Sequence, residues 1–299
     1  MKWLILFTWL GAILFSHFRG QVRLPIKRQL LDQSILLAPI NALMVLNSRV
    51  PTTPYVPLSR LPELRLLQDN WEIIRDEALH LAQLREIKAP DTHDDIGFNS
   101  FFKYGWKRFY LKWCDAKHPS AESLCPKTTA LLKQTPSVKA AMFAELPPGG
   151  RLNPHRDPFA GSLRYHLGLS TPNDPSCYID VDGIRHAWHD GESVVFDETY
   201  VHEAQNNSNQ NRIILFCDVE RPLKWRWVEQ FNRWFGRVLM SAVSSPNAET
   251  DQTVFINKLT HWHWVIDQKR STFKTANRTL YKATKVALIV LAILLFLAI

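Results

Sequence analysis

Residues 3–18 are apolar apart from Thr8, Ser16 and His17, a run that as a helix would rise about 24 Å at ~1.5 Å per residue. Residues 286–299 are a second run, without a polar side chain. Between these ends the periodicity changes several times. Pro39, Pro51, Pro54, Pro57 and Pro62 interrupt residues 34–62, which predicts an irregular connecting arm. Residues 61–87 carry Trp71, Ile74, Ala78, Leu79 and Leu81 and predict a helix. Residues 98–113 interleave aromatics with Lys and Arg, which predicts one or two strands. From 138 to 220, short apolar runs are broken at Pro147-Pro148-Gly149-Gly150, Asp182-Gly183 and Asp190-Gly191. That rhythm predicts an antiparallel sandwich or barrel. Residues 222–242 place Trp227, Val228, Phe231, Trp234, Phe235, Val238 and Leu239 on one helical face. With Trp225, Lys224, Arg226, Arg233 and Arg237 nearby, this helix suits a lipid interface and equally a packed core.

The fold class is therefore α+β, with a hydrophobic segment at each terminus. The expected organisation is an N-terminal membrane anchor at 1–18, a basic and Pro-rich juxtamembrane arm at 19–70, and a catalytic-sized domain at 71–222. An amphipathic, Trp-rich and basic region follows at 223–285, then a C-terminal hydrophobic anchor at 286–299, spanning or partly inserted. No A-x-A-like site follows residue 18, which favours an uncleaved anchor over a cleaved signal peptide. His261–Trp264 adds aromatics near the second anchor.

Charge sharpens this picture. Lys and Arg number 36 against 28 Asp and Glu, a formal +8, which invites a nucleic-acid or membrane partner. Arg19, Arg23, Lys27 and Arg28 follow the first apolar run, and Lys269, Arg270, Lys274, Arg278, Lys282 and Lys285 precede the second. These ten cations exceed the whole excess, so the basicity belongs to the flanks of the apolar runs and no nucleic-acid partner is expected. The same flanks put the middle of the chain on the cytoplasmic side of a membrane. Cys114, Cys125, Cys177 and Cys217 form no C-x-x-C pair, which suits a reducing compartment. Composition, 46% hydrophobic and 21% charged, excludes a disordered or polytopic chain.

Candidate chemistry is concentrated between 155 and 212. His155-Arg156-Asp157 follows the Pro-Pro-Gly-Gly turn, and His202 comes later in the barrel-like region. Two histidines and a carboxylate are the facial set that non-haem Fe(II) takes while keeping open positions. On an extended strand His155 and Asp157 would point to one side. In the strand around 162–170, Arg164 and His166 share one face while Leu163, Tyr165, Leu167 and Leu169 share the other. Arg212 opens the apolar run Ile213–Phe216, placed to capture a carboxylate with its planar fork. The same histidines would serve a zinc hydrolase, but that chemistry needs no carboxylate-binding arginines. A membrane-tethered binding module that kept the barrel without the activity is the third reading.

The stretches PPGGRLNPHRDPFAGSLRYHLGL and WHDGESVVFDETYVHEAQNNSNQNRIILFCDVERP resemble the aspartyl/asparaginyl β-hydroxylase superfamily of Fe(II)/2-oxoglutarate dioxygenases. Taken with both apolar tails, the chain is similar to the bacterial lipid A 2-hydroxylases within it. The resemblance implies a double-stranded β-helix (jelly-roll) core with flanking helices. It implies Fe(II) held by His155, Asp157 and His202, with 2-oxoglutarate and O2 as cosubstrates. Arg212 falls on the arginine that anchors a 2-oxoglutarate carboxylate, Arg164 and His166 on a pair that also contacts it, and Trp106 on a pocket tryptophan. Ala144 stands where animal members have a pocket serine, so one cosubstrate contact is made differently. The implied reaction is 2-hydroxylation of a fatty acyl chain of lipid A at the inner membrane, with the catalytic domain facing the cytoplasm. The alternative is β-hydroxylation of Asp or Asn in a protein substrate.

Overall fold

In the computed structural model, the structure describes residues 2–25, 35–89, 99–114, 116–241, 246–248, 251, 277, 280 and 284. Residues 1–254 form one compact unit and 255–299 another. The apolar run 286–299 and His261–Trp264 lie outside the described residues.

The strands are β1 (Lys107–Trp113), β2 (Val138–Leu146), β3 (Arg151–His155), β4 (Ser162–Ser170), β5 (Cys177–Val181), β6 (Ile184–Ala187), β7 (Ser193–Phe196), β8 (His202–Asn206) and β9 (Arg212–Glu220). They form two antiparallel sheets, ordered β1-β2-β9-β4-β7 and β3-β8-β5-β6. From β2 onward, pairing β2 with β9 and β4 in one sheet, and β3 with β8 and β5 in the other, is the jelly-roll order. Hairpin chemistry makes the first crossing. Gly149 adopts φ +73°, the Gly150 N–H bonds Pro147 O at 2.9 Å, and Asn206 Nδ2 reaches Leu146 O at 2.9 Å.

Strand periodicity then sorts the layers. Leu163, Tyr165, Leu167 and Leu169 of β4 join Ile213, Leu215, Cys217 and Val219 of β9 on the outer face of the larger sheet. Leu67, Ile74, Ala78 and Leu81 from helices Arg65–Asp69 and Trp71–Gln83 cover that face. Each such fully buried leucine is worth about 2 kcal/mol. The opposite face of the same strands carries Arg164, His166 and Arg212 toward the smaller sheet, beside a second core containing Trp106, Met142, Ile179, Trp188 and Phe196. Apolar residues thus hold the sheets in place while polar ones occupy the space between them.

Several local expectations are corrected. The arm at 34–62 contains a helix, Ala38–Leu46, with Pro39 in its first turn, where a proline's fixed φ suits a helix and no N–H is missed. The helix expected over 61–87 is broken at Asn70, whose φ of −109° is non-helical and whose Nδ2 takes up Leu66 O at 2.8 Å. Residues 98–113 are not strand throughout: Asn99–Phe102 is a helical turn, and Gly105 at φ +85° turns the chain into β1. At the N terminus the apolar run forms a single helix. Helix Lys2–Phe18 has 17 residues, about 25 Å against a ~30 Å hydrocarbon core. Among the described residues no helix is long and apolar enough to cross a membrane.

Arg19, counted above as a flanking charge, has a structural task. It pairs with the fully buried Asp197, donates to Thr199 Oγ1 at 2.8 Å and lies over the Tyr200 ring. Arg221 meets Asp197 from the other side at 2.7 Å, and its Nε holds Ala160 O at 2.5 Å. Burial pushes the Asp197 carboxyl up, but Arg221 and Arg19 outweigh it and hold the group well below the usual carboxylate range. Replacing Asp197 by Ala strands two guanidinium groups, and urea unfolding at pH 7 is expected to show a loss of about 3–5 kcal/mol. Because the folded carboxyl is depressed, that contribution is fully present above the unfolded value near pH ~4 and fades as pH falls toward the folded one. The gap between Asp197→Ala and the unsubstituted protein should therefore shrink in acid.

Candidate active site

β3 ends at His155 and β8 begins at His202, and the antiparallel register sets them directly opposite, with ring centroids 4.2 Å apart. Asp157 lies just past β3, not on the strand as the i, i+2 argument supposed. Its N–H bonds Glu198 O at 2.9 Å, which turns the carboxylate back toward the two rings. Ligand-capable atoms of His155, Asp157 and His202 all lie within 4.8 Å of one another. His155 Nδ1 contacts Asn153 O at 2.7 Å and His202 Nδ1 contacts Tyr200 O at 3.0 Å. A carbonyl only accepts, so each Nδ1 carries a proton and Nε2 is the nitrogen left to take a metal. Burial, then the neighbouring His155, pushes His202 down to about 3, so its imidazole is neutral.

Arg164, which the resemblance turned toward the cosubstrate, faces three carboxylates. Its guanidinium meets Asp157 Oδ2 and Asp218 Oδ1 at 2.5 Å each and pairs with Glu198. One cation cannot neutralise three acids in a buried space. Burial, reinforced by Asp218 and Asp157, pushes Glu198 well above the ordinary range despite Arg164, while burial lifts Asp218 to about 6. Burial opposes ionisation of Asp157 too, but Arg164 and then the two histidines hold it down. The ligand carboxylate is thus the one kept charged, and Arg164 aims it.

Arg212 shows the opposite situation. It is buried at the start of β9 and stacks over Trp188 at 4.4 Å, yet its Nε and Nη2 have no hydrogen-bond partner among the described residues. Both ring nitrogens of His166 are likewise without one. Burial lowers Arg212 to about 10, leaving it a cation, and burial with Arg212's charge keeps His166 neutral. A buried cation with unmet donors calls for an anion, and a carboxylate fits.

Trp106, His155, Asp157, Arg164, His166, His202 and Arg212 all line one pocket. Phe101 stands 5.0 Å from the His155 ring and 5.9 Å from Trp106, and Phe196, Ile179 and Ile214 complete apolar walls. Ala144, buried beside β9, brings a methyl and no donor. Sequence reasoning assigned no role to Glu198, Asp218, Phe101 or Trp188. For Asp218 a signal existed: Arg212, Ile214, Phe216 and Asp218 alternate onto one face of β9, and Arg164 pairs with Asp218 in register. A cation turned inward on a central strand needs such a partner. Phe101 carried no comparable signal.

The fold is a jelly roll in which two histidines and an aspartate, close enough to share a metal ion, lie in one pocket with a buried arginine. Residues 68–222 match the family model described as aspartyl/asparaginyl beta-hydroxylase. The chain belongs to that family. The ornithine lipid ester-linked acyl 2-hydroxylase of Rhizobium tropici is 32% identical over 181 residues, covering 59% of this chain and 64% of that protein. The human aspartyl/asparaginyl beta-hydroxylase is 29% identical over 164 residues, 53% of this chain and 21% of that protein. The chain therefore spans less than two thirds of the length of these curated relatives. Among solved structures, it is similar to a Pseudomonas putida prolyl-4-hydroxylase, with 17% identity, 52% of this chain and 87% of that chain covered, and a TM-score of 0.37.

If Arg164 aims Asp157, then Arg164→Lys, which keeps the charge and loses the fork, should weaken Mn(II) binding by about 10–100-fold. Titration calorimetry on the full chain measures this. Unchanged metal affinity with lost cosubstrate affinity would return Arg164 to the cosubstrate.

Proposed function

We propose that this chain is an Fe(II)- and 2-oxoglutarate-dependent dioxygenase that hydroxylates carbon 2 of a fatty acyl chain in a membrane lipid. Lipid A is the proposed substrate, at the cytoplasmic face of the inner membrane. The observation that carries the reaction class is the pairing, in one pocket, of a two-histidine, one-aspartate cluster with a buried arginine whose donors are unmet. The lipid direction is supported by the 32% identity to an acyl 2-hydroxylase.

The residues fit the implied groups. His155 and neutral His202 with ionised Asp157 would hold Fe(II) on one face. Arg212, with His166 beside it, would take a carboxylate of 2-oxoglutarate, which answers the donors left open. Iron with 2-oxoglutarate and O2 supplies an oxidation that places one oxygen atom in a C–H bond while the cosubstrate becomes succinate and CO2. The chain's part is positioning. Arg164 keeps Asp157 ionised and aimed, the carbonyls of Asn153 and Tyr200 fix the histidine rings, and Phe101, Phe196, Ile179 and Ile214 keep water from the reacting carbon. A hydrolytic zinc site has no use for the open donors of Arg212.

Arg212→Ala should raise the apparent affinity constant for 2-oxoglutarate by roughly 10–150-fold, the loss of one charge-assisted contact, with Mn(II) binding unchanged. Succinate release against cosubstrate concentration measures it. Mass spectrometry of lipid A and of ornithine lipids, with and without the gene, tests the substrate: a gain of one oxygen on an acyl chain of lipid A is the expected result. Gain on ornithine lipid alone would replace the lipid, and oxygen insertion into Asp- or Asn-containing peptides by the purified protein would replace the substrate class.

A further inference from the structure

Helix Arg226–Ser241 has an inner and an outer side, and packing accounts for the inner one. Val228 is buried with Met44 and Leu223, Asn232 Nδ2 holds Gly161 O at 2.9 Å, and Phe235 lies 5.4 Å from Phe159. A Cβ at Gly161 would fall 1.9 Å from Asn232 Oδ1, so a glycine is what permits this close seat. The outer side is different. Trp227, Trp234 and Val238, spaced i, i+7 and i+11, share one stripe and are 60%, 60% and 48% exposed. Arg226, Arg233 and Arg237 have the same spacing one residue earlier, so an exposed basic stripe runs beside the tryptophans. Lys224 and Trp225, 61% exposed, stand at its start.

We infer that this double stripe docks the protein on an anionic phospholipid bilayer, with the tryptophans in the headgroup region. Tryptophan side chains this exposed are unusual on a surface that meets only water, whereas an indole suits the bilayer interface. Charge selects the lipid. Between 224 and 241 the cations are Lys224, Arg226, Arg233 and Arg237 and the acid is Glu229; Arg233 pairs with Glu229 at 2.6 Å and with Glu220 at 2.7 Å, so Lys224, Arg226 and Arg237 carry the excess positive charge. A second copy of the chain on this face would set basic stripe against basic stripe. The surface is also continuous with other uncovered apolar residues. Helix Ala38–Leu46 packs on Val228 and on helix Lys2–Phe18, and Leu46, Leu36, Leu4 and Phe7 are all exposed.

This docking deepens the lipid reading of the site and gives it a location. Helix Arg226–Ser241 rests on Phe159 and Gly161, just after Asp157. The end of helix Lys2–Phe18 meets the same region, where Ser16 O accepts from Arg156 Nη1 at 3.0 Å, beside His155. Both lipid-facing helices thus bear on the segment that supplies two of the three candidate ligands.

The test uses the full chain with Cys114→Ser, the remaining cysteines being buried. One sample carries Trp234→Cys and a second Lys133→Cys, each labelled with bimane and mixed with vesicles containing brominated phosphatidylcholine and phosphatidylglycerol. The probe at 234 should be quenched and that at 133 should not. Arg226→Glu with Arg237→Glu should weaken the vesicle concentration dependence of quenching by about 10-fold or more, and vesicles lacking phosphatidylglycerol should give the same loss. Vesicle-bound protein with an unquenched 234 probe overturns the inference, as does equal quenching at 133 or quenching indifferent to both charge changes. Lipid hydroxylation in micelles without quenching removes the docking alone, and quenching without hydroxylation removes only the assigned reaction.

Discussion

The charge of Arg164 is the constraint around which the interior is arranged. A guanidinium placed inside a jelly roll on a central strand is costly to desolvate, and it is tolerable only where carboxylates surround it. Asp218 comes from the adjacent strand β9, Glu198 from the loop after β7, and Asp157 from the segment after β3. One side chain thereby joins two strands of the larger sheet and two loops. Because the acids outnumber the cation, they are not equivalent. Burial and mutual repulsion push Glu198 and Asp218 upward, while Asp157, flanked by two imidazoles as well, remains ionised. Ligand geometry at the metal-capable end is a consequence of that inequality.

Arg212 sets the contrast. It lies in the same pocket and is also buried, but among the described residues no carboxylate pairs with it directly, and the ring nitrogens of His166 beside it have no hydrogen-bond partner there either. Two arginines on neighbouring strands thus divide the interior: Arg164 is ion-paired with three carboxylates, and Arg212 has no carboxylate ion pair among the described residues. Asp197 repeats the first solution outside the pocket, drawing Arg19 and Arg221 to one carboxylate. That pair ties the end of the N-terminal helix to the loop leading into His202, so the apolar periphery and the site share a foundation.

Much of the fold was legible because strand alternation is strict wherever both faces of a sheet are buried. Leu163, Tyr165, Leu167 and Leu169 could only face apolar neighbours, which turned Arg164 and His166 inward whatever the connectivity. The glycine-rich turns likewise marked where strands cross between sheets. Local chemistry misled where a neighbour overrode it. Pro39 read as a breaker and proved to open a helix, since its position in the first turn costs no hydrogen bond. Asn70 read as one helical residue among many, yet its side chain closes the preceding turn. Helix Arg226–Ser241 was ambiguous between core and lipid because its apolar arc is wide. Packing gives Val228 to the core and leaves Trp227 and Trp234 outside.

By itself the sequence determined the inventory: alternating strands, a His-x-Asp with a later His, and two inward arginines among apolar residues. These follow from period, valence and charge, which are local properties. Tertiary structure alone decided what each arginine meets. Arg164 and Arg212 have the same chemistry, and nothing in their flanking residues says that one pairs with three acids and the other, among the described residues, with none. That difference arises because β9 and the loops at 157 and 198 converge on one end of the interior and not on the other. The cost of burying charge is paid by contacts far apart in sequence, so it becomes visible only when the chain is folded.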